Sequence, residues 1–463
     1  MNRELDYKVT GRTSGILIGG MVLGLVCLAL TWFGDDSHQT RFWSNFLHNS
    51  VFFTGIGLMA GFFMSASITA WAGWYVTFKR VWESMSLFLG IGLVLMVIMG
   101  LATYLGWHDL YHWNFEGIAS KEHDNYDKII AGKSGFLNKN WYLFGTIIIV
   151  GLWYFIVRRI RTLSLAEEAN GSDGYKYHYG VRKYAAAFLP LAGFGSAALI
   201  WLWIMSVDAH WYSTMFAWYV GASWFVSMIA LTILTLIFLK GRGFFQNVST
   251  EHFHDLGKFL FAFSIFWTYV WFSQYMMIWY GNVGEETIYF RERVDNYPAL
   301  FWLNILINFI APFFILMRND TKRKLGSLGF AAGLVLFGHW LDFFLMIKPG
   351  VLHTAHHLPG HGDGNGEDHG GHGHDAHGAI DHGHEAAHDV AHAGGHGVEE
   401  VLHAGAAHGS AFEMGFTIPG FLELGTFIGF LSLFLFFVLN SLSKVSLQSS
   451  SDPYIEESVH HHT

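Results

Sequence analysis

Apolar residues fall in long blocks separated by short polar stretches. Ten blocks are long enough to cross a bilayer, which takes about 20 residues of α-helix. They lie near 14–33, 47–76, 84–105, 141–158, 184–206, 214–239, 256–280, 298–317, 325–347 and 420–440. The pattern predicts an all-α polytopic membrane protein with about ten transmembrane helices. The second block is the longest and carries Gly55, Gly57, Gly61, Ser65 and Ala66, small residues that let helix backbones approach closely in lipid. The first follows Arg3, Lys8 and Arg12 and could be taken for a signal peptide. It is too long for that and no small-residue cleavage site follows, so a retained anchor helix is expected.

Basic residues set the expected orientation. Connections on the N-terminal side hold 18 Lys and Arg, and those on the other side hold 8. The positive-inside rule then puts both termini in the cytoplasm. Helices 2–5 and 6–9 can form two four-helix bundles related as a parallel repeat, with helices 1 and 10 peripheral. The expected division is 1–46, 47–206, 207–347, 348–419 and 420–463. Two outer loops are large. Residues 106–140 are polar. Residues 349–416 are low-complexity and hold 15 of the 28 histidines. A segment of that composition cannot bury a core and is expected to be disordered.

Composition narrows the function. Of 463 residues 52% are hydrophobic and only 14% are charged, against about 25% in soluble domains. That excludes a soluble multidomain enzyme. A net charge of −9 argues against nucleic acid as a partner. A single cysteine, Cys27, excludes an internal disulfide, a Cys-ligated iron–sulfur cluster and covalent haem attachment. Cys27 reads as a small core residue. Electrons, if this chain serves electron transfer, must move through partners.

Ionisable residues inside a membrane are expensive, so the few present are informative. Asp208 and His210, in SVDAHWYST between helices 5 and 6, can take and pass protons near the outer surface; the bland alternative makes Asp208 a helix cap. His339 and Asp342, three apart in GHWLD, share a face near the outer end of helix 9. They can hold a proton or bond a quinone carbonyl, or simply join two helices. Glu251, His252, His254, Asp255 and Lys258 open helix 7, and His252, His254 and Asp255 are candidates for cytoplasmic proton uptake. Ser249 and Thr250 beside them suggest a plain helix start. Thr268, Ser273, Gln274, Tyr275, Asn304 and Asn308 can wet a channel or bond helices together. A b-type haem wants two facing histidines within the span. The scattered His48, His210 and His339 can in principle pair, but no helix carries two well-spaced intramembrane histidines, so haem is not expected. The histidine-rich loop suits weak binding of metal, and no defined metal site is expected.

The stretches IMSVDAHWYSTMFAWYVGASWFVSMIAL (204–231) and LGKFLFAFSIFWTYVWFSQYMMIWYGNVGEET (256–287) resemble the NrfD-like integral membrane subunits of bacterial alternative complex III, a quinol:cytochrome c or oxidase-coupled oxidoreductase. The resemblance spans roughly 45–347. It implies a bacterial inner-membrane location and no covalent cofactor. Menaquinone or another quinol would lie nearby, and haem and iron–sulfur centres in partner subunits. Implied partners are a second NrfD-like subunit, an iron–sulfur subunit, haem c subunits, small anchor subunits, lipid and a terminal oxidase. Asp208, His210, His339 and Asp342 become proton-path or quinone-near candidates. A divalent-metal transporter with a histidine-rich loop, and a purely structural anchor, are the alternatives.

Overall fold

The computed structural model describes residues 7–34, 39–123, 125–171, 175–356 and 415–461. The histidine-rich stretch 357–414 lies outside the described residues, and with it the expectation of disorder there. Ten helices are long and apolar enough to cross a membrane. They are α1 (Gly11–Phe33), α2 (Thr40–Thr69), α3 (Val76–Leu105), α4 (Trp141–Asn170), α5 (Lys176–Val207), α6 (Met215–Lys240), α7 (Thr250–Gly281), α8 (Pro298–Leu316), α9 (Leu325–Ala355) and α10 (Phe421–Leu442). No strand occurs among the described residues. The chain is an all-α, multi-pass membrane protein.

Each apolar block is one helix, but several ends move. α2 starts earlier and stops at Thr69, because the chain turns at Trp71, whose φ is 57°. α9 continues past 347 to Ala355. Hydropathy finds the greasy middle of a helix, and the polar turns that extend it are buried against other protein rather than lipid.

α2, α6 and α9 are the most enclosed spans and form the centre of the protein. α2 packs on α3, α5, α6 and α9, and α6 packs on α7 and α9. Small residues set the closest approaches, as van der Waals packing in lipid requires. A Cβ on Gly55 would fall 1.9 Å from the Trp224 ring of α6. α1 crosses α10 where Gly24 meets Gly429, a Cβ on either falling within 2.5 Å of the other's Cα. Gly20 and Gly425 lie one turn away, so both helices present a small-xxx-small face. Cys27 is buried there against Gly425.

Both ends of the described chain, Tyr7 and the segment up to His461, lie on one face, here the terminal face. Tyr7 packs edge-on against Phe244 between α6 and α7. The segment after α10 binds the α2–α3 connection, where Ser458 Oγ donates to Trp74 O at 2.8 Å. The opposite face, the loop face, carries residues 106–140 and a helix over Gly284–Asn296. The 106–140 loop is folded down onto the bundle. Tyr111 Oη donates to Trp203 O at 2.8 Å, and Lys133 Nζ donates to Ala209 O at 2.7 Å.

Two prolines reshape spans near the centre. Pro312 has no N–H to give the preceding turn of α8, and that turn, Leu306–Ile310, widens into a π-helix. Such widened turns recur at functional sites, and this one holds Asn308. Pro349 lies within α9 and frees the carbonyl of Leu345 four residues before it.

Candidate functional site

Asp342 is fully buried at the meeting of four helices. Three neutral donors reach its carboxylate. Tyr219 Oη of α6 and Asn304 Nδ2 of α8 donate to Oδ1, the latter at 2.9 Å, and Trp267 Nε1 of α7 donates to Oδ2 at 3.0 Å. Asn308 Nδ2 in turn donates to Asn304 Oδ1 at 2.6 Å. His339, one turn back along α9, puts Nδ1 3.9 Å from Asp342 Oδ2 and 2.8 Å from Ser223 Oγ. Its other nitrogen, Nε2, has no hydrogen-bond partner although the ring is fully buried. Among the described residues His339 is the one basic side chain within ion-pair distance of Asp342.

This pair sits deeper than the sequence reading places it. α9 runs on to Ala355, which adds about 20 Å of helix beyond Asp342 at 1.5 Å per residue. Asp342 is therefore well inside the span rather than near its outer end. The expected helix-joining polar residues Asn304 and Asn308 are brought to it. Thr268 is not, since it bonds back to Ser264 O at 2.9 Å within its own helix.

Asp208 lies nearer the loop face, held by an arginine. Arg293, on the Gly284–Asn296 helix, is buried and donates through Nη2 to Asp208 Oδ2 at 3.0 Å. Its Nε donates to Leu345 O at 2.9 Å, the carbonyl that Pro349 frees, and its Nη1 to Tyr289 O at 2.8 Å. The guanidinium stacks 3.4 Å from the centroid of Tyr289. Burial opposes its charge, but Tyr289, Asp208 and Glu292 outweigh that and raise its pKa further. A Cβ on Gly350 would come 2.5 Å from Asp208 Oδ1, so glycine is needed where α9 passes the carboxylate. Asp208 does not cap α6; Thr214 stands at that position. Between the two carboxylates lies a cavity of about 10 Å³ lined by Tyr219, Asn304, Tyr289 and Arg293 among others, room for about one water.

His210 is not joined to Asp208. Its Nε2 meets Asp127 Oδ2 of the 106–140 loop at 2.6 Å. Burial pushes the Asp127 carboxyl up, but the His210 ring and the N–H groups of Ile130 and Ile129 outweigh it and hold it below the usual range. His210, Asp208 and Glu292 share an open cleft of about 110 Å³ at the loop face. Burial, opposed by Arg293 and reinforced by Asp208, pushes the Glu292 carboxyl up to about 7. A second cleft of about 220 Å³ beside it is lined by Lys133, Trp201, Met205, Trp211 and Tyr212. The indole N–H groups of Trp201 and Trp211 are buried without partners.

The three uptake candidates stand in the first turns of α7 at the terminal face; His252 serves the cap, and Asp255 and His254 face charged or ionisable neighbours. His252 Nδ1 joins Ser249 Oγ at 2.8 Å in a capping box, and its Nε2 meets Thr77 Oγ1 at 3.2 Å. Asp255 binds Lys258 Nζ at 2.9 Å and His461 Nε2 at 2.5 Å. His254 stands 3.9 Å from Glu251. His48 is tied to Trp340 O at 3.0 Å and stacks on the same indole.

Several polar residues of the centre escape sequence reasoning. Lys348 Nζ donates to Ser44 Oγ and Asn45 Oδ1, both at 2.7 Å. Arg41 and Asn45 both bond Glu423 of α10. Arg293 and Glu292 were legible only as loop charges; Pro349 was the one signal that α9 had a carbonyl to give. No family model matches the chain, and no curated protein matches it.

Proposed function

We propose that this chain is an integral membrane subunit of a quinol-oxidising respiratory complex, and that Asp342 with His339 holds a proton in transit. One observation carries the reading. Asp342 is a fully buried carboxylate supported by three neutral donors, with an imidazole rather than a lysine or arginine as its basic neighbour. A buried carboxylate locked to arginine keeps one charge. One held by neutral donors can gain or lose a proton without breaking an ion pair. His339 offers the second seat for that proton, and its unbonded Nε2 offers a third atom to the relay.

The direction of transfer follows from what surrounds the pair. Tyr219 and the one-water cavity lead toward Arg293 and Asp208, and beyond them lies the open cleft with Glu292 and His210. A carboxyl with a pKa of about 7 is poised to exchange protons near neutral pH. Quinol contact belongs in the neighbouring 220 Å³ cleft, where two indole N–H groups without partners suit carbonyl or hydroxyl oxygens. Oxidation of a quinol frees two protons and two electrons. The electrons leave through haem and iron–sulfur centres of partner subunits, and the loop face is then the outer side. The resemblance of 204–231 and 256–287 to NrfD-like subunits supports the same reading.

A divalent-metal transporter needs several ligands meeting in mid-span. Among the described residues the grouping of three such ligands, Glu167, His178 and Asp452, lies at helix ends and in the tail instead. The deciding experiment is extraction of the native protein in mild detergent, with identification of what copurifies and haem absorbance on the same fraction. Multihaem cytochrome and iron–sulfur subunits at fixed stoichiometry are expected. A lone, haem-free chain sinks the proposal.

A further inference from the structure

The last turn of α4, the first turn of α5 and the segment after α10 bring three metal-type ligands together. Glu167, His178 and Asp452 are 1%, 5% and 3% exposed. One ligand atom from each lies within 4.8 Å of the other two. Glu167 Oε1 and His178 Nδ1 are 3.7 Å apart, too far for a hydrogen bond. Both oxygens of Glu167 and both nitrogens of His178 are buried without any hydrogen-bond partner. Four unbonded polar atoms on two touching side chains is a costly arrangement for an empty site.

The charges around them leave Glu167 over. Lys79 Nζ binds Asp452 Oδ2 at 2.7 Å. Arg80 binds Glu83 at 2.7 Å and also Glu168, and Arg161 reaches Glu83 at 3.5 Å. Three cations thus face Asp452, Glu83 and Glu168, and the Glu167 carboxylate has no cation of its own. A proton on Glu167 would remove its charge yet leave both imidazole nitrogens unbonded. A divalent cation satisfies the carboxylate and the imidazole together.

We propose that Glu167, His178 and Asp452 form a binding site for a divalent cation of the Zn2+ type, and that the ion fastens the C-terminal segment to α4 and α5. One imidazole and two carboxylates are a ligand set that such an ion accepts, with a water completing four-coordination. Ligand atoms about 2.0–2.2 Å from a tetrahedral ion stand about 3.3–3.6 Å apart, so the present spacing closes with shifts of about 1 Å or less. The imidazole is already oriented, with the rings of Trp71 and Tyr454 centred 6.0 and 5.4 Å from it. Lys79 Nζ donates to Oδ2 of Asp452 and the Tyr454 N–H donates to Oδ1 at 3.1 Å, and each oxygen keeps a second lone pair for the ion. This site is separate from the proton reading and stands or falls without it.

The test is hydrogen exchange on the full-length protein in detergent, stripped with chelator and then given Zn2+, with bound zinc per chain measured alongside. At ten times Kd, exchange in 443–461 is expected to slow about tenfold. Glu167→Gln and His178→Ala should each abolish that slowing and bind one zinc fewer, and Glu167→Asp should keep part of it. Glu167 makes no hydrogen bond, so metal-free Glu167→Gln should melt with the wild type. His178→Ala gives up ring packing against Trp71 and Tyr454, and its exchange is read with and without zinc against its own metal-free baseline. The histidine-rich segment also takes up zinc, but equally in all four proteins. No slowing in wild type, or equal slowing in the Gln and Ala variants, overturns the proposal.

Discussion

Asp208 and Asp342 are two carboxylates separated by a one-water cavity, and their neighbours treat them differently. Asp208 has Arg293 at 3.0 Å. Asp342 has a phenol, an indole and an amide, with an imidazole 3.9 Å off. The first arrangement fixes a charge and uses it to hold structure. Arg293 ties together the α5–α6 connection, the Gly284–Asn296 helix and the carbonyl that Pro349 frees in α9. The second holds its carboxylate with no fixed counter-ion, which is what the proposed relay requires. Burial is common to both carboxylates; the charge of their partners is what differs.

That contrast breaks most sharply at Arg293. Arg293→Gln removes a buried cation and takes a donor from Asp208 and from the α9 carbonyls of Leu345 and Met346, the latter at 3.3 Å. Thermal or denaturant unfolding in detergent should show a loss of about 3–5 kcal/mol. Adding Asp208→Asn should return part of it, with a coupling of about 1–3 kcal/mol in the double-mutant cycle. Additive losses would mean that Arg293 acts through the carbonyls and Tyr289 alone.

Asp342→Asn should act mainly on turnover. It keeps the volume, but its amide nitrogen can no longer accept from a buried donor such as Trp267 Nε1, so stability should fall by about 1–3 kcal/mol, less than for Arg293→Gln. Turnover of the native complex should fall about 100-fold, or about 2.7 kcal/mol in the barrier. His339→Ala should fall less. Full turnover in Asp342→Asn would reduce the pair to a joint between helices and favour the structural-anchor reading.

How much of this could be read from the chain differs between the two carboxylates. The ten spans were legible because hydrocarbon demands unbroken apolar length, and the His339–Asp342 pair because three residues along a helix share a face. The glycines of α2 were legible as close-approach points, and Gly55 is one. The depth of Asp342 was not, since the last two turns of α9 carry Lys348, Pro349 and His353 and look like loop. Arg293 was invisible as a site because it lies 85 residues from Asp208 and meets it only through tertiary folding. Glu167, His178 and Asp452 belong to three separate elements for the same reason.

Glu292 gives a smaller effect with a definite sign. Its carboxyl holds its proton up to about 7, from an ordinary value of 4.5. The folded chain therefore binds more protons than the unfolded chain across that window. Stability falls as pH rises from about 4.5 through 7 and then levels off. The loss between pH 5 and 8 should be about 2 kcal/mol, reduced from the full shift because the side chain is 16% exposed. Melting of Glu292→Gln should lack that part of the pH dependence. An unchanged profile would assign it to another group and weaken the exchange role of the cleft.

The smallest effect on stability belongs to His210, where the bond is short but the setting is wet. His210 and Asp127 side chains are 41% and 24% exposed. A pair that open gives about 1 kcal/mol at most and less in high salt. His210→Ala should therefore barely move the melting point, and the remaining shift should vanish in about 1 M salt. Its consequence should appear in turnover of the native complex instead, because the imidazole lines the same cleft as Glu292. A loss of stability comparable with that of Arg293→Gln would make the pair a clamp on the 106–140 loop, and the relay would then open at Glu292 instead.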